Sequence, residues 1–173
     1  LVTFPHTIAA AFLTAGALVA GVSVWWLVRR RDVVAAEGAG AFRSSLRLGA
    51  VTVLLAGVAV AVTGDFQGKV MTDVQPMKMA AAEALYETQQ PAPFSLLTIG
   101  TLDGSRPVTQ PEVPNLLSYL ATGSWDGEVQ GINDLQAEYE ERFGPGDYSP
   151  NIPVTYWTFR LMIGFGFLAM AVA

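Results

Sequence analysis

Residues 7–28 form a run of 22 without a single charged side chain. A helix needs about 20 apolar residues to cross the hydrocarbon core of a bilayer, so this run alone directs the chain to a membrane. Two further uncharged runs follow, 16 residues at 48–63 and 13 at 161–173. The second reaches spanning length as residues 44–63 if Arg47 snorkels to the surface. The third is still apolar at its last residue and reads as a span cut short. The first run does not fit a secretory leader: it is too long for an h-region, its arginines follow it, and no initiating methionine precedes it. A piece of a larger membrane protein is expected.

Charge then orients the helices. Arg29, Arg30, Arg31, Arg43 and Arg47 oppose only Asp32 and Glu37 between the first two runs, whereas residues 64–153 carry 13 acids against Lys69, Lys78, Arg106 and Arg142. Basic loops stay in the cytoplasm. The expected layout is therefore helix A at 1–28, a cytoplasmic loop at 29–43, helix B at 44–63, an extracytoplasmic loop at 64–153 and a truncated helix C at 154–173. The fold class is an all-α integral membrane protein, three transmembrane helices of a larger bundle plus a long outer loop with short helices. Trp25, Trp26, Tyr156 and Trp157 suit interfacial aromatic belts. Ala and Gly residues between Ala9 and Gly21 let another helix or a bulky group approach closely. With no cysteine, disulfides and thiolate metal sites are excluded within these residues. At net charge -5, no nucleic-acid partner is expected.

Within the outer loop, Pro76 starts a helix over residues 77–87, rich in strong helix formers. Residues 116–121 and 132–142 read as two more short helices. Five prolines and Asp103-Gly104 predict turns and irregular chain over residues 90–114. The sequence GDFQGK is not a phosphate loop, because Gly64 and Gly68 enclose three residues instead of four and Val70 follows Lys69.

Five side chains stand out chemically, each with two readings. His6, the only histidine, is an interfacial packing residue or an axial haem ligand near the outer end of helix A. Met162 is core packing or the partner ligand, roughly 9 Å below the start of helix C if that helix begins at Tyr156, and Met170 lies two turns deeper. Arg160, inside a span, costs ~2.5–3.5 kcal/mol on insertion scales and wants an anion. It either snorkels or pairs with a haem propionate. Lys78 and Glu83 lie on a solvated amphipathic helix, or they recognise a substrate and accept its proton at the outer surface. Asp65, at the exit of helix B, is a weaker candidate acid.

The segments FPHTIAAAFLTAG (4–16), GD-x-x-G (64–68), QPMKMAAAEALYE (75–87) and YWTFRLMIGFG (156–166) resemble, in order and topology, subunit I of the cytochrome bd quinol oxidases. The outer loop resembles the short form of that family's quinol-binding loop. The resemblance implies that His6 and Met162 ligate the iron of a low-spin haem b, with Arg160 beside it at the propionate. It implies that Lys78 and Glu83 serve quinol oxidation, and that a high-spin haem b and haem d belong to the full complex. Membrane quinol is the implied substrate, oxidised at the outer face of a bacterial plasma membrane, with proton motive force generated without pumping. The implied partners are the remainder of subunit I, subunit II and small accessory subunits. The rival reading is a cofactor-free membrane subunit or transporter segment whose outer loop binds a partner protein.

Overall fold

In the computed structural model, which describes residues 2–30, 32, 34, 38–101 and 106–173, each uncharged run becomes a helix. In chain order the elements are α1 (Thr3–Arg29), α2 (Ala39–Val74), α3 (Pro76–Glu83), β1 (Phe94–Ser95), β2 (Ile99–Gly100), β3 (Pro107–Thr109), β4 (Glu112–Val113), α4 (Leu116–Thr122), α5 (Ile132–Phe143) and α6 (Ile152–Val172). Helices α1, α2 and α6 are long and apolar enough to cross a membrane, with mean hydropathies of 2.0, 2.0 and 1.3 over their most apolar windows. The chain divides into two compact units, Leu1–Gly64 with Ile163–Ala173, and Asp65–Met162.

Helix α2 does not stop where its apolar stretch does. It was expected over residues 44–63, yet it starts at Ala39 and runs 36 residues to Val74. Asp65 and Lys69, one turn apart and 2.5 Å from each other, support the polar continuation. Pro76 ends it, because the residue before a proline is pushed out of the α region, and Gln75 sits at φ -143°.

In the first unit, α1 and α2 touch through small residues. A Cβ on Gly49 would lie 2.7 Å from Ala20 N and 2.8 Å from Gly16 O, so only glycine permits this approach. Further along α2, Gly57 leaves room for the Met170 side chain of α6, whose sulfur a Cβ there would overlap.

The second unit has a core of its own. Met79, Leu85, Ala92, Leu117, Ala121 and Val129 form one apolar cluster, flanked by Met71 and Phe94. Met77, Ala80, Ile132 and Leu135 form a second. Helix α3 is therefore not the solvated amphipathic helix weighed from sequence, since Met77 and Met79–Glu83 are all buried. Its alanines are small enough to be covered on every side, and burial of the two methionines supplies the apolar area.

The stretch expected to be irregular instead forms two short antiparallel pairs. Phe94 faces Val113 and Ser95 faces Glu112; Ile99 faces Thr109 and Gly100 faces Pro107. Strands of two or three residues are too short to carry an alternating pattern, so proline content alone misses them. Helices α4 and α5 match the expected positions within one or two residues. Thr88 donates to the Asp134 carboxylate from both its backbone N–H and its hydroxyl, which holds that carboxyl below the usual carboxylate range. The backbone bond measures 3.1 Å.

Candidate functional site

Glu83 is the last residue of α3 and is 4% exposed, in a run of alanines that gives it no polar neighbour of its own. Its partner comes from 77 residues away. Arg160 of α6 donates from Nη2 to Glu83 Oε2 at 2.6 Å and from Nη1 to Oε1 at 3.3 Å, a two-pronged ion pair. The same Nη2 donates to the Ser95 carbonyl at 2.8 Å. Sequence reasoning gave Arg160 a snorkelling role or a propionate. The anion it finds within the chain is Glu83.

Aromatic rings complete the setting. The Arg160 guanidinium carbon lies 4.5 Å from the centre of the Phe94 ring and 4.9 Å from that of Tyr156. Tyr156, expected as an interfacial belt residue, is fully buried, and its hydroxyl accepts from Thr98 N–H at 2.6 Å. Ser95 Oγ hydrogen-bonds Thr98 Oγ1 and lies 3.4 Å from the same tyrosine hydroxyl. Phe94, Ser95, Thr98 and Tyr156 were all missed as site residues. A hydroxyl two residues from a proline-rich turn carries no sequence signal, but a glutamate enclosed by Ala80, Ala81, Ala82 and Ala84 does.

Two effects compete at the Glu83 carboxyl. Burial raises its proton affinity, Arg160 lowers it by hydrogen bonding and by charge, and burial prevails, leaving the carboxyl above the usual carboxylate range. A carboxylate in that position is a better proton acceptor than one in water. Immediately after it, Ala84 takes a left-handed conformation at φ 51°, ending α3 at a cost of about 1–2 kcal/mol for a residue with a Cβ. The chain accepts this strain directly beside its buried acid.

Lys78 is not brought to Glu83. It is exposed on α3, while Glu83 is buried, as their spacing around the helix requires. Asp65 is engaged by Lys69, which also lies over the Tyr119 ring, so it is not a free acid.

His6 belongs to the first unit and Met162 to the second. The His6 ring hydrogen-bonds through Nδ1 to Thr63 Oγ1 at 3.2 Å, and Nε2 has no hydrogen-bond partner among the described residues. Met162 is 54% exposed, so its thioether is not enclosed by packing. Met170, in contrast, is seated against Gly57. Arg160 Nε is buried without a partner among the described residues. Taken singly, an imidazole nitrogen and a thioether are donors suited to a haem iron, and a buried guanidinium N–H without a partner is suited to a propionate.

Residues 1–173, the whole chain, match the family described as cytochrome bd terminal oxidase subunit I. The chain belongs to that family. Among curated members, it is 36% identical to the cytochrome bd ubiquinol oxidase subunit 1 of Bacillus subtilis (strain 168) over 173 residues, 99% of this chain and 36% of that relative. It is 33% identical to the cytochrome bd-II ubiquinol oxidase subunit 1 of Escherichia coli (strain K12) over 146 residues, 84% of this chain and 27% of that relative. Among solved structures, the bd oxidase from Geobacillus thermodenitrificans aligns with a TM-score of 0.78 at 28% identity, covering 97% of this chain and 35% of that one. This member of the cytochrome bd subunit I family thus spans roughly a third of the length of the relatives it matches. Its three apolar helices and its bacterial relatives make it part of a multi-pass bacterial membrane protein.

Proposed function

We propose that this chain is the quinol-oxidising portion of a terminal quinol:oxygen oxidoreductase and carries its low-spin haem b. The observation that carries the reading is the Glu83–Arg160 ion pair, which ties a buried proton acceptor in the loop to the helix position two residues before Met162. His6 through Nε2 and Met162 through its sulfur are the iron ligands, and Arg160 Nε is free to receive a propionate oxygen. A haem held there supplies a one-electron acceptor, and the high-spin haem b and haem d that reduce oxygen belong to the remainder of the subunit.

The protein's own residues divide the remaining work. Lys78, exposed and unpaired among the described residues, binds the quinol oxygen at the surface of α3. Oxidation of quinol to quinone releases two electrons and two protons. Glu83 takes up one proton and the other passes to solvent, while the two electrons go one at a time to a bound haem. Arg160, no longer opposed by a charge on Glu83, would hold a propionate. The acid-rich loop faces outward, so protons leave on the outer side. Protons for water formation come from the inner side, and charge separates without pumping. Subunit II, small accessory subunits and the remainder of subunit I cover the exposed faces of α1, α2 and α6.

The test is the absorption spectrum of the purified complex. His6→Ala loses the bands of a six-coordinate low-spin haem b, and Met162→Leu shifts them; bands unchanged in both variants sink the ligand assignment. A complex with no Soret band at all favours the cofactor-free rival. For the quinol site, Lys78→Ala and Glu83→Gln slow quinol turnover while the haem stays. Glutamine is preferred to alanine at position 83 because alanine would strand the Arg160 charge. Full turnover in both variants rules the loop out as the site.

A further inference from the structure

The single histidine is held by two consecutive residues of α2. His6 Nδ1 lies 3.2 Å from Thr63 Oγ1. A hydroxyl has one proton to give, and that of Thr63 is directed at the Ala59 carbonyl, 2.7 Å away and one turn back. Thr63 Oγ1 therefore meets His6 as an acceptor. The ring proton must sit on Nδ1, and Nε2 presents its lone pair.

Gly64 adds a second constraint. A Cβ there would lie 3.2 Å from His6 Cε1 and 3.5 Å from Nδ1. A glycine inside a helix costs about 1 kcal/mol relative to alanine. Here, in the interior of α2, it leaves the space that the Cε1–Nδ1 edge of the imidazole occupies.

We infer that Thr63 and Gly64 are positioning residues for the haem: Thr63 fixes the tautomer and raises the donor strength of His6 Nε2, and Gly64 sets the plane of the ring. The inference rests on His6 being an axial ligand. Its physical basis is that a ligating imidazole which donates its other N–H becomes a stronger donor. A stronger donor favours oxidised iron, so Thr63 holds the midpoint potential of the haem down.

The experiment is a spectroscopic redox titration of the low-spin haem in the intact, detergent-purified oxidase. Thr63→Val keeps the shape and removes the acceptor. It shifts the oxidised-to-reduced ratio about threefold toward reduced at a fixed ambient potential, an upward midpoint shift of ~28 mV at 59 mV per tenfold. Thr63→Ser keeps the hydroxyl and titrates as wild type. Gly64→Ala leaves the hydrogen bond and turns the ring, changing the g-anisotropy of the low-spin electron paramagnetic resonance signal with a smaller midpoint shift. His6→Ala separates the two levels of the reading. If it abolishes the low-spin bands while Thr63→Val titrates as wild type, Thr63 has no positioning role. If the bands survive His6→Ala, the ligand assignment itself is wrong and this inference falls with it. Should Thr63→Val fail to retain haem, Thr63→Ser with a wild-type midpoint supports the role, and Thr63→Ser losing haem equally overturns it.

Discussion

In α3 every residue from Met79 to Glu83 is buried, whereas in α1, more than three times as long, Gly16 and Ser23 are the buried ones among the described residues. The loop unit encloses Met77, Met79, Leu117 and Leu135, and the membrane unit turns Phe12, Leu18, Leu55 and Phe167 outward. Both follow the same rule, applied against different solvents. In water, apolar area must be covered by the chain itself. In a bilayer, lipid and neighbouring helices are as apolar as leucine, so helices hold together by close packing of small residues. Removing polar partners should therefore damage the loop unit, and adding atoms should damage the membrane unit.

The largest expected effect is at Arg160. Arg160→Met leaves the Glu83 carboxylate buried and unpaired, costing about 3–5 kcal/mol, and the double variant Arg160→Met/Glu83→Gln recovers most of it. A double-mutant cycle on thermal unfolding of the complex measures both; no recovery would mean that Arg160 acts mainly through the aromatic rings it covers. The loss also depends on pH. Because burial sets the Glu83 carboxyl above the usual range, the folded chain holds that proton more tightly than the unfolded one. Its contribution to stability thus falls as pH rises through that window. Without Arg160 the fall steepens, so the variant is least impaired in acid and most impaired at neutral pH. A pH-independent loss would break the link to Glu83.

Next comes the membrane unit. Gly49→Val forces α1 and α2 apart at Ala20 and Gly16 and costs about 2–3 kcal/mol by overpacking, read as a lower midpoint for thermal loss of the folded complex. If it is tolerated, the close crossing is not what joins these helices. Smaller again is Ser118→Ala in the loop unit. Ser118 Oγ accepts from Ala92 N–H at 2.7 Å and donates to the Gly127 carbonyl at 2.5 Å, wholly buried. Its removal orphans two backbone groups for about 1–3 kcal/mol. The smallest is Lys78→Ala, exposed and unpaired among the described residues, which changes stability by less than about 0.5 kcal/mol while lowering quinol turnover.

The same difference explains what could be read from the sequence. The three apolar helices are legible because a missing charge is a local signal, visible at Thr7 and Val28 without reference to any other residue. Helices α4 and α5 are legible from composition and periodicity. The loop core is less so: Met77 and Met79 lie next to Lys78, and nothing local says that one side of α3 will be covered by Leu117 and the other by Leu135. His6, Arg160, Met162, Lys78 and Glu83 each attract attention as single residues. Their pairings do not, because the Glu83–Arg160 contact is a tertiary fact across 77 residues. Sequence supplied the charge that needed an anion and the acid that needed a cation, but no rule joined them.

That ion pair also limits how the sequence can drift. Losing Glu83 first strands a guanidinium, and losing Arg160 first strands a carboxylate, so every single step from the pair to an apolar replacement passes through a less stable chain. A neutral glutamine at position 83 is the gentlest way through. Descendants of this protein should therefore change the two positions together, although they lie in different helices and far apart along the gene.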